Sequence, residues 1–313
     1  MNYNSPLNIR IALKDLVKLH RLQILIKKHH KDGLFYICNK HLGDTVIFCS
    51  IAKSLQKIDK REFTIIVEDR YRSVPEIFGL NSMTADLPKF RIPFVETLNF
   101  MYLSLFNLFS NRKFLLSFPG LFLYIKCSKK LLYSNMYTRY LVSLGVHLET
   151  PFSCIDDTFL LPPALIITNF KGFDLKIRRT VIISPDSLSM KKIDINFFIA
   201  LYQSLEKLNY VPIINSNNNF WVDNGFRAFY PEILTLLYYS ILAGYSVSAR
   251  SGISDLLSFT PGVKNIIIYG DGVPDDFIIG KEKERLCSNI FEFYFTTEDN
   301  ENLIKNIISS LGL

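Results

Sequence analysis

Cysteine is sparse in this chain: five residues (Cys38, Cys49, Cys127, Cys154, Cys287) among 313, odd in number and with no Cys-x-x-Cys pair. The pattern indicates neither a disulfide framework nor a zinc site, and a reducing cytosol fits it best. No Cys/His/carboxylate cluster has metal-ligand spacing, so no metal and no other cofactor is expected. Charged residues are held to 21% against 49% hydrophobic ones, which excludes a largely disordered chain. No apolar run reaches the roughly 20 uninterrupted residues of a bilayer span. The most hydrophobic part, 91–130, is broken by Glu96, Asn99, Asn107, Arg112 and Pro119. It reads as buried core helices or as an amphipathic surface that dips into a membrane interface. No internal repeat is present.

The length suits two domains of ordinary size. The formal charge of +7 is unevenly spread, with Arg10, Lys14, Lys18, Arg21, Lys27, Lys28 and Lys31 in residues 1–33 against Asp15 and Asp32. This leader lacks the clean apolar run and small-residue cleavage site of a secretory signal. It predicts a basic amphipathic helix with Leu13, Leu16, Val17 and Ile24 inward, which either lies on an anionic membrane surface or wraps a domain. The basic excess comes with no RNA- or DNA-binding motif, so nucleic acid is not an expected partner.

Beyond the leader the chain alternates strands and helices. Residues 34–38 read as a strand, 39–45 as a glycine-bearing turn, 46–55 as a helix, 63–67 as a second strand and 68–70 as the loop at its carboxyl end. One helix between two strands implies a parallel pair. Around 151–171 the texture loosens, with Leu161-Pro162-Pro163 as a connection. The second half then reads strand 181–184, helix 194–208, strand 211–214, helix 233–243, strand 245–248, helix 254–259, strand 265–269 and helix 299–311. The fold class expected is α/β, divided as a basic helical leader (1–33), a Rossmann-like domain (34–165) and a second Rossmann-like domain (166–313), with binding loops at the strand carboxyl ends.

Three such loops carry chemistry. The first holds His41, Gly43, Asp44 and Thr45; the second Ser187, Ser189, Lys191 and Lys192; the third Arg250, Ser251 and Gly252, before a helix. Point charges, hydroxyls and a guanidinium fork suit a diphosphate, and a helix start offers unpaired N–H groups to an anion. Asp44 suits a general base; the competing role is a helix-capping acid, which would make it a poor one. His41 reads as a solvated or structural neighbour. Trp221 could stack on a base or sugar or anchor a rim. Asp271, Gly272, Asp275 and Asp276 could touch sugar hydroxyls or form a polar turn.

On Lys40-His41-Leu42-Gly43-Asp44-Thr45-Val46, Ser184-Pro185-Asp186-Ser187 with Lys191, and Ser251-Gly252, the chain resembles the heptosyltransferase-like glycosyltransferases of family nine. These stretches stand for the family's Gly-Asp, Asn-Pro-Gly…Lys and Asp-Ser-Gly-x-x-His motifs, and the resemblance covers about half the chain. It implies a GT-B fold, two Rossmann-like domains facing a cleft. It also implies a nucleotide-diphosphate sugar donor, a lipid-linked saccharide acceptor, inversion and no required metal. Asp44 would be the base, with His41, Gly43 and Thr45 in the acceptor loop, and the Lys and Ser-Gly turn would hold the donor. Three positions depart from the motifs: Asp186 replaces a glycine, Arg250 an acid and Asp255 the histidine. The donor is therefore open to differing from ADP-heptose, and Asp255 is expected to point away from phosphates and favour the helix dipole. The overall expectation is a cytoplasmic, membrane-peripheral glycosyltransferase of bacterial surface-polysaccharide synthesis. Its rivals are a sugar-nucleotide epimerase or hydrolase and a non-catalytic glycan-assembly partner.

Overall fold

The computed structural model describes residues 6–29, 33–38, 41–60, 62–88, 102–103, 107, 112–116, 152–155, 179–187, 192–273, 278–279, 286–296 and 299–312. The expectations for Lys40, Ser189, Lys191, Asp275, Asp276, the connection 156–171 and most of 91–130 lie outside these residues. The chain divides into two compact units, Met1–Ser153 and Cys154–Leu313.

The first unit opens with helix α1 (Pro6–His29), followed by strand β1 (Gly33–Cys38), helix α2 (Leu42–Asp59) and strand β2 (Thr64–Val67). A short 3-10 turn (Asp69–Tyr71), helix α3 (Ser73–Ile77) and strands β3 (Ser82–Thr84) and β4 (Arg112–Leu116) complete it. The four strands form a parallel sheet in the order β3-β2-β1-β4. Successive side chains of a strand point to opposite faces. Accordingly Phe35 and Ile37 pack with Leu19, Leu22 and Ile26 of α1, while the Tyr36 ring meets Phe48 of α2 at 5.2 Å between centroids.

The inward face of α1 is thus not the one the sequence suggested. Leu13, Val17 and Ile24 are 57%, 49% and 56% exposed, and Leu19, Leu22 and Ile26 are buried in their place. Each set repeats at helical spacing, so composition alone does not choose between them. The sheet does, because only one face of α1 meets Phe35, Ile37 and Ile66.

The second unit has strand β5 (Thr180–Ser184), helix α4 (Ile195–Lys207), strand β6 (Val211–Asn215), the short helix α5 (Phe220–Asp223) and strand β7 (Ala228–Phe229). Helix α6 (Ile233–Ala243), strand β8 (Tyr245–Ala249), helix α7 (Gly252–Ser258), strands β9 (Lys264–Tyr269) and β10 (Asn289–Tyr294) and helix α8 (Asn300–Leu311) follow. All six strands are parallel, in the order β10-β9-β8-β5-β6-β7. On one face Val181, Ile183, Val247, Ala249, Ile266 and Ile268 share a core with Phe197 and Leu201 of α4 and Ile304 and Ile307 of α8. On the other, Ile182 packs on Leu236, Tyr239 and Ala243 of α6. Trp221, expected at a ligand or a rim, is instead 1% exposed in the first of these cores, edge-on to Phe226.

Local signals place these elements accurately. Asp194 caps α4 by accepting from the Asn196 N–H at 3.0 Å. Asp194→Ala is therefore expected to cost about 1 kcal/mol, read as a lower urea midpoint at unchanged slope. Gly244 ends α6 at φ 76°, a left-handed conformation natural to glycine, and its N–H reaches the Ser240 carbonyl.

The cysteines depart from expectation. Cys154 and Cys287 are disulfide-bonded, with Cα atoms 5.7 Å apart, so the absence of cysteine pairing inferred from spacing is wrong at this pair. They lie 133 residues apart and meet because both flank α7: the Ile155 N–H donates to the Phe259 carbonyl and the Cys287 N–H to the Ser258 carbonyl. Cys38 and Cys49 are buried and outside any disulfide, and burial pushes the Cys49 thiol well up.

Candidate functional site

In the second unit the chain runs outward from β5 through β6 to β7, then returns to lay β8, β9 and β10 on the other side. The order reverses between β5 and β8. In open α/β sheets ligands bind in the crevice outside the carboxyl ends at such a point. Ser184 ends β5 and Ala249 ends β8, so the loops after them, with Ser187 and with Arg250-Ser251-Gly252, flank this crevice.

The two loops are physically joined. Ser187 Oγ donates to the Arg250 carbonyl at 2.8 Å, across 63 residues of sequence. The loop after β6 is tied in as well, because Ser216 Oγ donates to Asp186 Oδ2 at 2.6 Å and Asn215 Nδ2 to Ser184 Oγ at 3.0 Å. The sequence reading gave Asn215 and Ser216 no role; their place right after a core strand was the available signal. Beneath these loops Asn215 Oδ1 and Ser248 Oγ are buried with no hydrogen-bond partner among the described residues. A bound polar group or an ordered water would complete them.

Arg250 is buried and paired with an acid rather than open to solvent. Its side chain and that of Asp255 are each 3% exposed, and Nη1 meets Asp255 Oδ2 at 2.9 Å. The same Nη1 donates to the Ser251 carbonyl and to Ser254 Oγ. Nη1 is thus engaged at the start of α7. Asp255 does sit in the first turn of that helix, but it serves as the counter-ion of Arg250 as well as favouring the dipole. The physical reason is burial: a guanidinium this far from water needs a carboxylate beside it. Ser251 takes the N-cap position with extended backbone, and its N–H donates to Ser254 Oγ at 3.0 Å. Gly252 opens the helix. Lys192, on the loop after β5, is exposed, as is Asp271 after β9.

In the first unit the corresponding edge holds His41, Gly43, Asp44 and Thr45. His41 is exposed and is the N-cap of α2. Asp44 accepts from the His41 N–H through Oδ2 at 3.1 Å, the capping geometry weighed against a base. Thr45 is buried and returns its hydroxyl to the His41 carbonyl at 3.1 Å. Gly43 is buried in the first turn.

Sequence reading missed Tyr71, which follows β2 and feels the Asp44 charge. Arg70 Nη2 pairs with Glu68 Oε2 at 2.6 Å, and its guanidinium carbon lies 4.6 Å from the Tyr71 ring centroid. Burial raises the Tyr71 phenol, the Arg70 charge opposes this, and the Leu42 backbone and the Asp44 carboxylate also act on it. The signal was Asp69-Arg70-Tyr71 placed directly after a buried strand. A cavity of about 430 Å³, lined by Gly244, Tyr245, Gly262, Val263, Lys264, Cys287 and Asn289, opens at the amino edge of the second sheet, at the opposite end of its strands from the loops after β5 and β8.

No protein-family profile and no curated protein sequence matches the chain. Solved structures do. A glycosyl transferase family 9 protein from Veillonella parvula DSM 2008 aligns at TM-score 0.60 with 14% identity, over 90% of this chain and 98% of that one. The E. coli ADP-heptose lps heptosyltransferase II aligns at 0.62 with 11% identity over 89% and 98%. The E. coli heptosyltransferase WaaC, solved with ADP, aligns at 0.54 with 13% identity over 89% and 99%. At such identities the likeness concerns fold, and with two Rossmann-like units, each built on a parallel sheet, the chain has the GT-B fold of these glycosyltransferases.

Proposed function

We propose that the chain is a glycosyltransferase that moves a sugar from a nucleotide-diphosphate donor to a lipid-linked saccharide, in the synthesis of a bacterial surface polysaccharide such as lipopolysaccharide, O-antigen or capsule. The observation that carries the donor half is the Ser187 to Arg250 bridge, which closes two loops over the β5/β8 switch point. Structural neighbours solved with ADP and with ADP-2-deoxy-2-fluoro heptose support a nucleotide-sugar donor class.

In this reading the donor diphosphate lies against the backbone amides where α7 starts, with Ser187, Ser251 and Gly252 lining it and Lys192 and Lys191 supplying charge. Arg250 takes a different role from the one first expected, holding the turn through Asp255. Asp44, from the first unit, accepts the proton of the acceptor hydroxyl, and the sugar transfers with inversion. Ser189 and Thr45 complete the donor and acceptor loops, and no metal is invoked. The cytoplasmic placement rests on the nucleotide-sugar donor alone; the Cys154–Cys287 disulfide does not support it, disulfides being uncommon in a reducing compartment. Among the described residues no helix is long and apolar enough to cross a membrane, and a peripheral position on the inner face of the plasma membrane fits a lipid-borne acceptor.

A thermal-shift panel of UDP-, GDP-, ADP- and CMP-linked sugars tests the donor. One class is expected to stabilise the chain by about 2.7 kcal/mol at about a hundred times its Kd. Donor consumption that needs an added lipid-linked saccharide supports transfer. Turnover of donor alone identifies an epimerase or hydrolase, and no protection by any nucleotide identifies a non-catalytic partner.

A further inference from the structure

The helix α1 has two apolar stripes, and the fold uses one. Leu19, Leu22 and Ile26 are spent on the first unit's core. Leu13, Val17 and Ile24 stay 57%, 49% and 56% exposed on the far side. At about 100° per residue these three fall within about 40° of arc, with the exposed His20 on the same face between Val17 and Ile24. Lys14, Arg21 and Lys28 run along one edge of that strip and Lys27 along the other, and all four are exposed. The one acid within α1, Asp15, is 6% exposed and lies on the inward face.

We infer that this outward strip is a docking face for an anionic lipid bilayer, with α1 lying flat in the interface. Apolar side chains bordered by cations on a helix anchored from behind are the composition of an interfacial helix. The cations meet lipid headgroups while Leu13, Val17 and Ile24 enter the acyl boundary. A second copy of this chain is a poor occupant, because a two-fold contact through the strip would set Lys14, Arg21 and Lys28 against their own like charges. The inference adds a specific surface to the lipid-linked acceptor reading and rests on it only for its biological purpose.

The test is co-sedimentation of the full chain with phosphatidylcholine vesicles, with and without phosphatidylserine. Wild type is expected to bind the anionic vesicles and to be released by salt. Lys14→Gln/Arg21→Gln/Lys28→Gln should weaken that binding about five-fold per cation, on the order of a hundred-fold together. Leu13→Ser/Ile24→Ser should also lose it, and both variants should keep the wild-type melting temperature because every changed side chain faces outward. Equal binding of wild type to neutral and anionic vesicles, or wild-type binding by either variant, overturns the inference. So does a concentration-dependent dimer abolished by Leu13→Ser/Ile24→Ser. Nucleotide protection measured in the same preparations separates the two readings: its absence with vesicle binding intact removes the donor site and leaves the lipid face standing.

Discussion

Asp255→Ala is expected to destabilise the second unit by about 3–5 kcal/mol, because it leaves the Arg250 guanidinium buried without its carboxylate. Both side chains are 3% exposed at a 2.9 Å contact, so water cannot take over the lost partner. Urea unfolding with the slope held constant measures the loss. The paired replacement Arg250→Met/Asp255→Leu should recover most of it, since apolar groups of similar size often substitute for a buried ion pair at little cost. The double variant also separates the two roles considered for Arg250. A guanidinium that grips the donor directly would take nucleotide protection with it when replaced, whereas one confined to the Asp255 contact leaves protection largely intact. Asp255→Ala as stable as wild type would show that the pair contributes nothing.

Asp44→Asn is expected to lower kcat by about 10²–10⁴-fold while the donor still protects the chain thermally, if Asp44 takes the acceptor proton. The asparagine keeps an oxygen that can accept the His41 N–H, so the contact now made at 3.1 Å survives and stability should move by less than about 1 kcal/mol. The split between a collapsed kcat and an intact fold distinguishes a base from a cap. Wild-type turnover by Asp44→Asn would reduce the residue to its capping role at the start of α2. Tyr71→Phe, which removes only the phenol oxygen, should cost far less.

The sequence was most legible where strands are buried on both faces. Residues 181–184, 211–214, 245–248 and 265–269 read as strands, and each lies within an observed one. Such strands are apolar runs bounded by turn residues. The short edge pieces Ala228–Phe229 and Ser82–Thr84, and β10 with its half-exposed Asn-Ile-Phe-Glu-Phe-Tyr, were not anticipated, because an edge strand that meets solvent loses the apolar contrast that marks it. The loop position of Ser187 and the places of His41 and Ser251 just before helices followed from the same alternation, but α2 and α7 start earlier than read and take Gly43, Asp44, Thr45 and Gly252 into their first turns. The direction in which Arg250 turns did not follow.

What the sequence by itself determined is the order of the buried strands and the longer helices and the parallel α/β architecture, since periodicity and turn chemistry act over a few residues. The tertiary structure alone decided which stripe of α1 turns inward, that Trp221 is core, that Cys154 meets Cys287 and that Arg250 is neutralised by Asp255. Each of these depends on what packs against a side chain from a distant part of the chain, and burial, which sets whether a charge must be paired or an apolar face covered, is not encoded in any one segment.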